Sequence, residues 1–170
     1  MKTFYNKKIR GFTLIETLVA IGILMMAVVG PISVAYKSLK SSMVAKDQFT
    51  ASYLAQDAIE YMKALAIKTG GLPVCGTSNN GIDTCDVDTT RSIGDVYLIN
   101  CNIRSCNLDF DINDGYFYAS AGGTVSPFTR EIRTKEISLK EMSVEVTVSF
   151  LSGKSTTSNY VTIYSNIFIP

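Results

Sequence analysis

The chain contains no histidine and no tryptophan among its 170 residues. Histidine is the side chain that most often serves as a general base, so its absence argues against acid–base catalysis. The sequence also lacks a glycine-rich phosphate-binding loop and the G-x-S-x-G turn that presents a nucleophilic serine. An exported hydrolase is therefore the least favoured interpretation. We predict that the protein is not an enzyme and needs no cofactor.

Positive charge is scarce outside the first eleven residues. The chain has 16 Lys and Arg against 15 Asp and Glu, a net charge of +1. Four of the basic residues lie in the first eleven positions, namely Lys2, Lys7, Lys8 and Arg10. Without that segment, 12 basic residues stand against 15 acidic ones, a net charge of −3. The remainder therefore has no basic surface for nucleic acid, and we predict no nucleic-acid partner.

Charge is almost absent from the segment that follows. Between Phe12 and Tyr36 the only charged side chain is Glu16. A helix of this length spans about 37 Å, which is enough to cross a bilayer core of roughly 30 Å. The basic residues before it favour a cytoplasmic N-terminus and an exported remainder. A carboxylate at the centre of a membrane helix costs roughly 2.5–3.5 kcal/mol, so Glu16 is a candidate functional residue.

Two ordinary interpretations of this apolar segment stay open. It could be a secretory signal peptide that releases a binding domain, with Ser33-Val34-Ala35 as the cleavage site before Tyr36. It could instead be the uncleaved anchor of an adhesin that never polymerises. A signal-peptide core is typically about 7–15 residues long, however, and this run is longer. Glu16 within the core would also hinder membrane insertion.

The junction between the basic leader and the apolar run has a distinctive sequence. Lys7-Lys8-Ile9-Arg10-Gly11 is followed at once by Phe12-Thr13-Leu14-Ile15-Glu16. This arrangement resembles the N-terminus of type IV prepilins and of type II secretion pseudopilins. The resemblance implies that prepilin peptidase cuts after Gly11 and methylates the new N-terminal Phe12, and that Glu16 guides packing into a filament. It also implies two further partners, which are other pilins or pseudopilins and the inner-membrane assembly platform.

The resemblance extends beyond the leader. Residues 51–60 are similar to a helix segment of PilV-type minor pilins and of a minor pseudopilin of type II secretion. Residues 128–132 and the two apolar strands that follow are also similar in order and spacing. We therefore expect a minor pilin or pseudopilin. Type IV pili, type II secretion and DNA uptake stay open as its system, because the shared helix does the same work in each.

Four cysteines lie between residues 75 and 106. An even number of cysteines in an exported segment indicates disulfides. Sequence order favours Cys75–Cys85 and Cys101–Cys106, although three pairings are possible. Zinc is the alternative, but the three gaps between these cysteines suit no zinc pattern well and the chain offers no histidine.

A calcium site is a further alternative. The segment Asp109-Phe110-Asp111-Ile112-Asn113-Asp114-Gly115 is similar to the start of an EF-hand loop. Its glycine comes one place late, however, and the twelfth position is Ser120 rather than glutamate. A polar turn between strands accounts for these residues better, so we predict no metal site.

Residues 12–68 are predicted to form one long helix. The first half is apolar all round, whereas the second half carries one apolar stripe at helical spacing, formed by Leu54, Ala58, Tyr61 and Leu65. Gly30-Pro31 should kink this helix, because proline removes one backbone hydrogen bond. The glycines that follow Thr69 should end it.

The remainder of the chain has the patterns of loops and strands. Residues 70–94 are polar and predict a loop in which Asp86 and Asp88 are solvated. Short strands are predicted at 95–100, and at 107–112 and 116–120 on either side of a turn. Residues 128–139 should form a strand with a β-bulge, because the apolar parity changes between Ile132 and Ile137.

The last two strands have the clearest patterns. Residues 142–150 alternate strictly between apolar and polar side chains, which is typical of a half-buried strand. Residues 160–169 are apolar on both faces, so we expect this strand to be central in the sheet or covered.

Together these elements predict an α+β fold with the ladle shape of pilins. A long kinked helix, whose first half spans the membrane, would pack its apolar stripe on a small antiparallel sheet. We expect a leader peptide at 1–11, the helix at 12–68 with its transmembrane and assembly segment at 12–36, and an exported β domain with a disulfide-stapled loop at 69–170.

Overall fold

The computed structural model describes residues 11–76, 84–89, 98–101, 106–111, 117–118, 124–151 and 157–169. The elements in this part of the chain are α1 (Leu14–Thr69), β1 (Cys85–Val87), β2 (Leu98–Asn100), β3 (Asn107–Phe110), β4 (Phe117–Tyr118), β5 (Thr124–Ser138), β6 (Glu141–Phe150) and β7 (Asn159–Phe168). The chain divides into two compact units, Met1–Ser42 and Met43–Pro170. The first unit contains the start of α1, and the second contains the rest of α1 with all the strands.

The long helix predicted at 12–68 is confirmed as α1. It continues without a break through Pro31, so the kink stays a prediction. It ends at Gly70, whose φ of 63° lies in the left-handed region. The N–H of Gly70 donates to the carbonyl of Ala66 at 3.0 Å and so satisfies one of the last carbonyls of the helix.

The apolar stripe predicted for the second half of α1 is confirmed and is wider than expected. The buried residues of the helix are Ala51, Leu54, Ala55, Ala58, Ile59, Tyr61, Met62, Leu65 and Ala66. Four of them are alanines that are completely buried. This face packs with the inward side chains of the strands in one hydrophobic core.

All pairings in the sheet are antiparallel, and β5 is its central strand. On one side β5 pairs with β6, and β6 pairs with β7. On the other side β5 pairs with β3 near its start and with β1 farther along, where Ile132 lies opposite Cys85. The short strands β4 and β2 add to β3 and β1. The result is the predicted α+β, pilin-like arrangement of one long helix on a small antiparallel sheet.

The strand with strict alternation is confirmed as β6. Its inward side chains Met142, Val144, Val146, Val148 and Phe150 are all buried. The ring of Phe150 lies 5.7 Å from that of Phe128 on β5, a tilted contact between two core aromatics. Period-two alternation therefore identified the face of β6 that α1 covers.

β5 begins earlier than predicted, at Thr124 rather than at residue 128. The early start includes Pro127, which lies where the register with β3 is irregular, so no regular ladder hydrogen bond is lost. The predicted bulge is confirmed, since the register with β6 shifts between Glu136 and Ser138. Ile137 lies at this shift and is 54% exposed, whereas Ile132 is fully buried.

Two predictions about the sheet are wrong. The predicted loop at 70–94 contains β1, and Asp86 and Asp88 on and beside that strand are buried rather than solvated. β7, expected to be central or covered, pairs only with β6 among the described strands, and Tyr164 in its middle is 68% exposed. Local patterns reveal which face of a strand is apolar, but not which strands lie beside it.

Candidate functional site

The N-terminal turn of α1 carries the residues that the leader motif singles out. Gly11 and Phe12 precede the helix, and the Phe12 ring is 79% exposed. The carbonyl of Thr13 accepts hydrogen bonds from the N–H groups of Glu16 at 3.0 Å and Thr17 at 3.2 Å. The helix therefore starts immediately after the predicted cleavage point. Glu16 lies in its first turn, where the positive end of the helix dipole favours a carboxylate.

The first part of α1 has an apolar surface that stays exposed in the described part of the chain. Every residue from Gly11 to Ser42 is exposed, and the large apolar side chains between Phe12 and Tyr36 are 48–82% exposed. A helix that is apolar on all sides is stable only when lipid or other helices surround it. In the described part of the chain, α1 is the one helix long and apolar enough to cross a membrane.

The comparison with protein families addresses this same segment. A model of the prokaryotic N-terminal methylation motif matches residues 6–30. This motif supports a type IV prepilin-like protein. Proteins of this kind are structural subunits, processed by prepilin peptidase and assembled with other pilins, and the long apolar helix fits a membrane-anchored protein of this class. No curated protein and no solved structure matches the chain.

The matched segment is described in the structure from Gly11 onward. It includes Gly11, Phe12 and Glu16 and ends at Gly30, directly before Pro31. The hydroxyl of Ser33 donates to the carbonyl of Gly30 at 2.8 Å, so a polar side chain supplements the backbone bonding beside the proline. The match does not reach the second half of α1 or the sheet.

A buried ion pair joins α1 to the sheet in the second unit. Arg130 on β5 is 1% exposed, and its Nε donates to Oδ1 of Asp86 on β1 at 2.6 Å. Its Nη1 donates to the carbonyl of Leu54 in α1 at 3.1 Å, and its Nη2 donates to the carbonyl of Val87 at 2.5 Å. One guanidinium therefore connects the helix, β1 and β5.

The carboxylate of Asp86 is only partly satisfied. Its Oδ1 accepts from Arg130 and from the N–H of Val87 at 2.8 Å, whereas its Oδ2 is buried without a hydrogen-bond partner. Desolvation raises the pKa of Asp86 to about 6, against the opposing effects of the Arg130 charge and these hydrogen bonds. Asp57 of α1 lies 4.0 Å from the same guanidinium but is half exposed.

Sequence reasoning missed this ion pair, although one signal was present. Arg130 alternates with Phe128 and Ile132 along β5 and so lies on the same face of the strand as these two core residues. A charged residue at an inward position requires a buried partner. The partner Asp86 is 44 residues away in the chain, and nothing local identifies it.

Both disulfides of the structure join neighbouring cysteines, Cys75 to Cys85 and Cys101 to Cys106. Cys75 and Cys85 are buried, and Cys85 directly precedes Asp86. The N–H of Cys75 donates to the hydroxyl of Thr134 on β5 at 3.0 Å. This bridge therefore holds the segment after α1 and the start of β1 against the central strand.

The candidate calcium segment is only partly within the described residues. Asp109 lies on β3 opposite Tyr118, and Asp111 follows that strand. Residues 112–116 and Ser120 lie outside the described part of the chain.

Proposed function

We propose that the protein is a minor pilin or pseudopilin, cleaved after Gly11, methylated at Phe12 and assembled into a filament through α1. The observation that carries this proposal is the methylation motif at residues 6–30, whose described part leads into a helix with an apolar surface exposed on all sides. Lipid would cover that surface before assembly, and the helices of neighbouring subunits would cover it afterwards. The basic leader favours a cytoplasmic N-terminus and an exported sheet.

Glu16 has a specific role in this proposal. Cleavage leaves a free amine on Phe12, and Glu16 lies about 6 Å farther along the helix axis. In an apolar environment the amine and the carboxylate each need a partner. When two helices pack with a stagger, the carboxylate of one subunit can meet the amine of the next, and the desolvation costs of both fall. This pairing would set the register between subunits.

Mass spectrometry of the N-terminal peptide, taken from membranes of the native host, tests the processing step. A peptide that begins at Phe12 with one added methyl group is the expected result. A peptide that begins near Tyr36 would instead indicate release by ordinary signal peptidase. One that begins at Met1 would indicate an uncleaved anchor, and either outcome would overturn the filament proposal.

The assembly step is tested with Glu16→Ala. The variant should still yield the methylated Phe12 peptide, but its amount in sheared filaments should fall at least about tenfold, the factor that a loss of about 1.4 kcal/mol gives. Thr17→Ala is the matched control, because Thr17 is the next residue and its hydroxyl only bonds the carbonyl of Leu14 in its own helix. Equal incorporation of Glu16→Ala and Thr17→Ala would refute the pairing while leaving the processing proposal intact.

A further inference from the structure

The free edge of β7 lacks the protection that edge strands usually have. Exposed edges are commonly protected by charged side chains, proline or a bulge, which prevent pairing with another chain. β7 contains no charged residue and no proline, and its ten residues pair with β6 without any shift in register. Its other edge is not paired with any described strand. A regular, uncharged edge of this length is a template for another strand.

The hydrogen-bond pattern shows which backbone groups face the open edge. The N–H of Ile169 donates to the carbonyl of Lys140 at 2.9 Å. Bonded and non-bonded pairs alternate along an antiparallel ladder, so the odd-numbered residues of β7 bond to β6. The even-numbered residues, from Tyr160 to Phe168, therefore direct their N–H and C=O groups towards the open edge.

The side chains along this edge are poorly covered. Tyr160, Tyr164 and Phe168 share the outer face and are 74%, 68% and 63% exposed. On the inner face, Val161 and Ile163 are only partly buried. The strand is thus apolar on both faces, as a central strand would be, yet it lies at an edge. Within one copy, the described residues do not cover the surface that this pattern requires to be covered.

We propose that a second copy of this chain covers the edge, with β7 pairing antiparallel to β7 about a two-fold axis through Tyr164. This register places Tyr160 opposite Phe168 of the second copy, and Tyr164 opposite its own equivalent. It also pairs Thr162 with Asn166 on the outer face and Val161 with Ile167 on the inner face. Each of the even-numbered residues then enters a bonded pair.

The pattern of aromatic residues favours a second copy as the occupant. The three rings are spaced four residues apart and are symmetric about Tyr164, so only an axis at that residue gives every ring an aromatic partner. Cross-strand aromatic pairs stabilise antiparallel sheets, and an uncharged strand brings no like charges together. The axis is perpendicular to the sheet, so it reverses the direction of every strand in the second copy. The strands of the two paired sheets therefore run in opposite directions.

Cysteine cross-linking of the full chain in mild detergent tests the register. One preparation carries Thr162→Cys and another carries Asn166→Cys, and the two are mixed and oxidised gently. The proposed register brings these positions to a Cα separation of about 5.5 Å, which suits a disulfide. The mixture should give a covalent heterodimer on a non-reducing gel. Each variant alone should not, because identical positions lie four residues apart along the strands, about 13 Å.

A backbone substitution provides the second measurement. Tyr160→Pro, added to both cysteine variants, removes an N–H that faces the open edge but none that bonds β6. It should lower the yield of cross-linked dimer about tenfold relative to Tyr160→Thr, which also lacks the ring but keeps the N–H. Circular dichroism establishes that both variants are folded.

Three results would overturn the proposal. The first is no cross-linking in the mixture, which would leave a strand of another protein as the occupant. The second is equal cross-linking in the mixture and in each single variant, which would indicate random collision. The third is cross-linking that Tyr160→Pro and Tyr160→Thr affect equally, which would show that strand pairing is not involved.

Discussion

Removing the guanidinium of Arg130 should be among the most damaging single changes in the second unit of the chain, Met43–Pro170. Arg130→Met leaves Asp86, which is completely buried, without the Nε donor at 2.6 Å. It also removes the donors to the carbonyls of Leu54 and Val87. Loss of one partner of a buried ion pair costs about 3–5 kcal/mol, because the other charge stays buried and uncompensated. We expect a loss of this size in the free energy of unfolding at pH 7.

The pH dependence of this loss follows from the pKa of Asp86. In the native protein, burial raises the pKa of Asp86 from 3.8 to about 6. Between about pH 4 and pH 6, the native state therefore holds a proton that the unfolded state has released. The contribution of this group to stability therefore falls as the pH rises through that window, by up to about 3 kcal/mol. Arg130→Met removes the charge and the hydrogen bond that lower the pKa of Asp86, so the pKa should rise further. The difference in stability between wild type and variant should widen from pH 5 to pH 8.

Urea unfolding of the full chain in mild detergent, with disulfides intact, measures the effect. The chain has nine tyrosines and no tryptophan, so near-ultraviolet circular dichroism is a suitable probe. With an m value of about 2 kcal/mol/M, the midpoint for Arg130→Met should fall by about 2 M. Arg133→Met on the same strand is the matched control, since its side chain is 49% exposed and pairs with the exposed Glu131 at 3.7 Å. Its loss should stay below about 1 kcal/mol.

A double variant separates charge burial from packing. Asp86→Leu with Arg130→Met replaces both charges by apolar groups, which is often neutral or stabilising relative to a buried ion pair. It should recover most of the stability that Arg130→Met loses. Equal losses for Arg130→Met and Arg133→Met would refute the reasoning, as would a double variant that is less stable than Arg130→Met.

Three further predictions concern the same domain. Replacing Cys75 and Cys85 together by serine opens a bridge with a sequence separation of 10 and should cost about 2.7 kcal/mol, measured by the same unfolding assay against the wild type. Ile132→Ala should lower the free energy of unfolding by about 2–5 kcal/mol because Ile132 is fully buried, whereas Ile137→Ala, at a position 54% exposed, should lower it much less. Equal losses for the two variants would contradict the assignment of Ile132 to the core. Gly70→Ala should cost about 1 kcal/mol because the φ of 63° is unfavourable for a residue with a Cβ, and an unchanged melting temperature would contradict this.

Local pattern predicted much of the fold. The long apolar run and the stripe from Leu54 to Leu65 indicated α1, and alternation at 142–150 indicated β6 and its buried face. The parity change between Ile132 and Ile137 indicated a bulge, which the structure places between Glu136 and Ser138. These features depend on residues within one helix or within one strand. The backbone geometry therefore makes them readable without knowledge of the fold.

The leader motif is equally local. Gly11, Phe12 and Glu16 lie within six residues, so their spacing is visible in the sequence and a family model matches it. β1, in contrast, has three residues and is preceded by a polar segment. A strand that short has no period to detect, and it exists because the Cys75–Cys85 bridge and Arg130 hold it against β5.

The sequence by itself determined the N-terminal methylation motif, the membrane-length helix and the inward faces of the long strands, because each depends on residues that are near one another in the chain. Only the tertiary structure decided that Arg130 reaches Asp86 and Leu54, across separations of 44 and 76 residues. It also decided that β7 pairs only with β6 among the described strands. Both outcomes depend on which strands become neighbours, and strand order follows from the packing of the whole sheet against α1 rather than from any single segment.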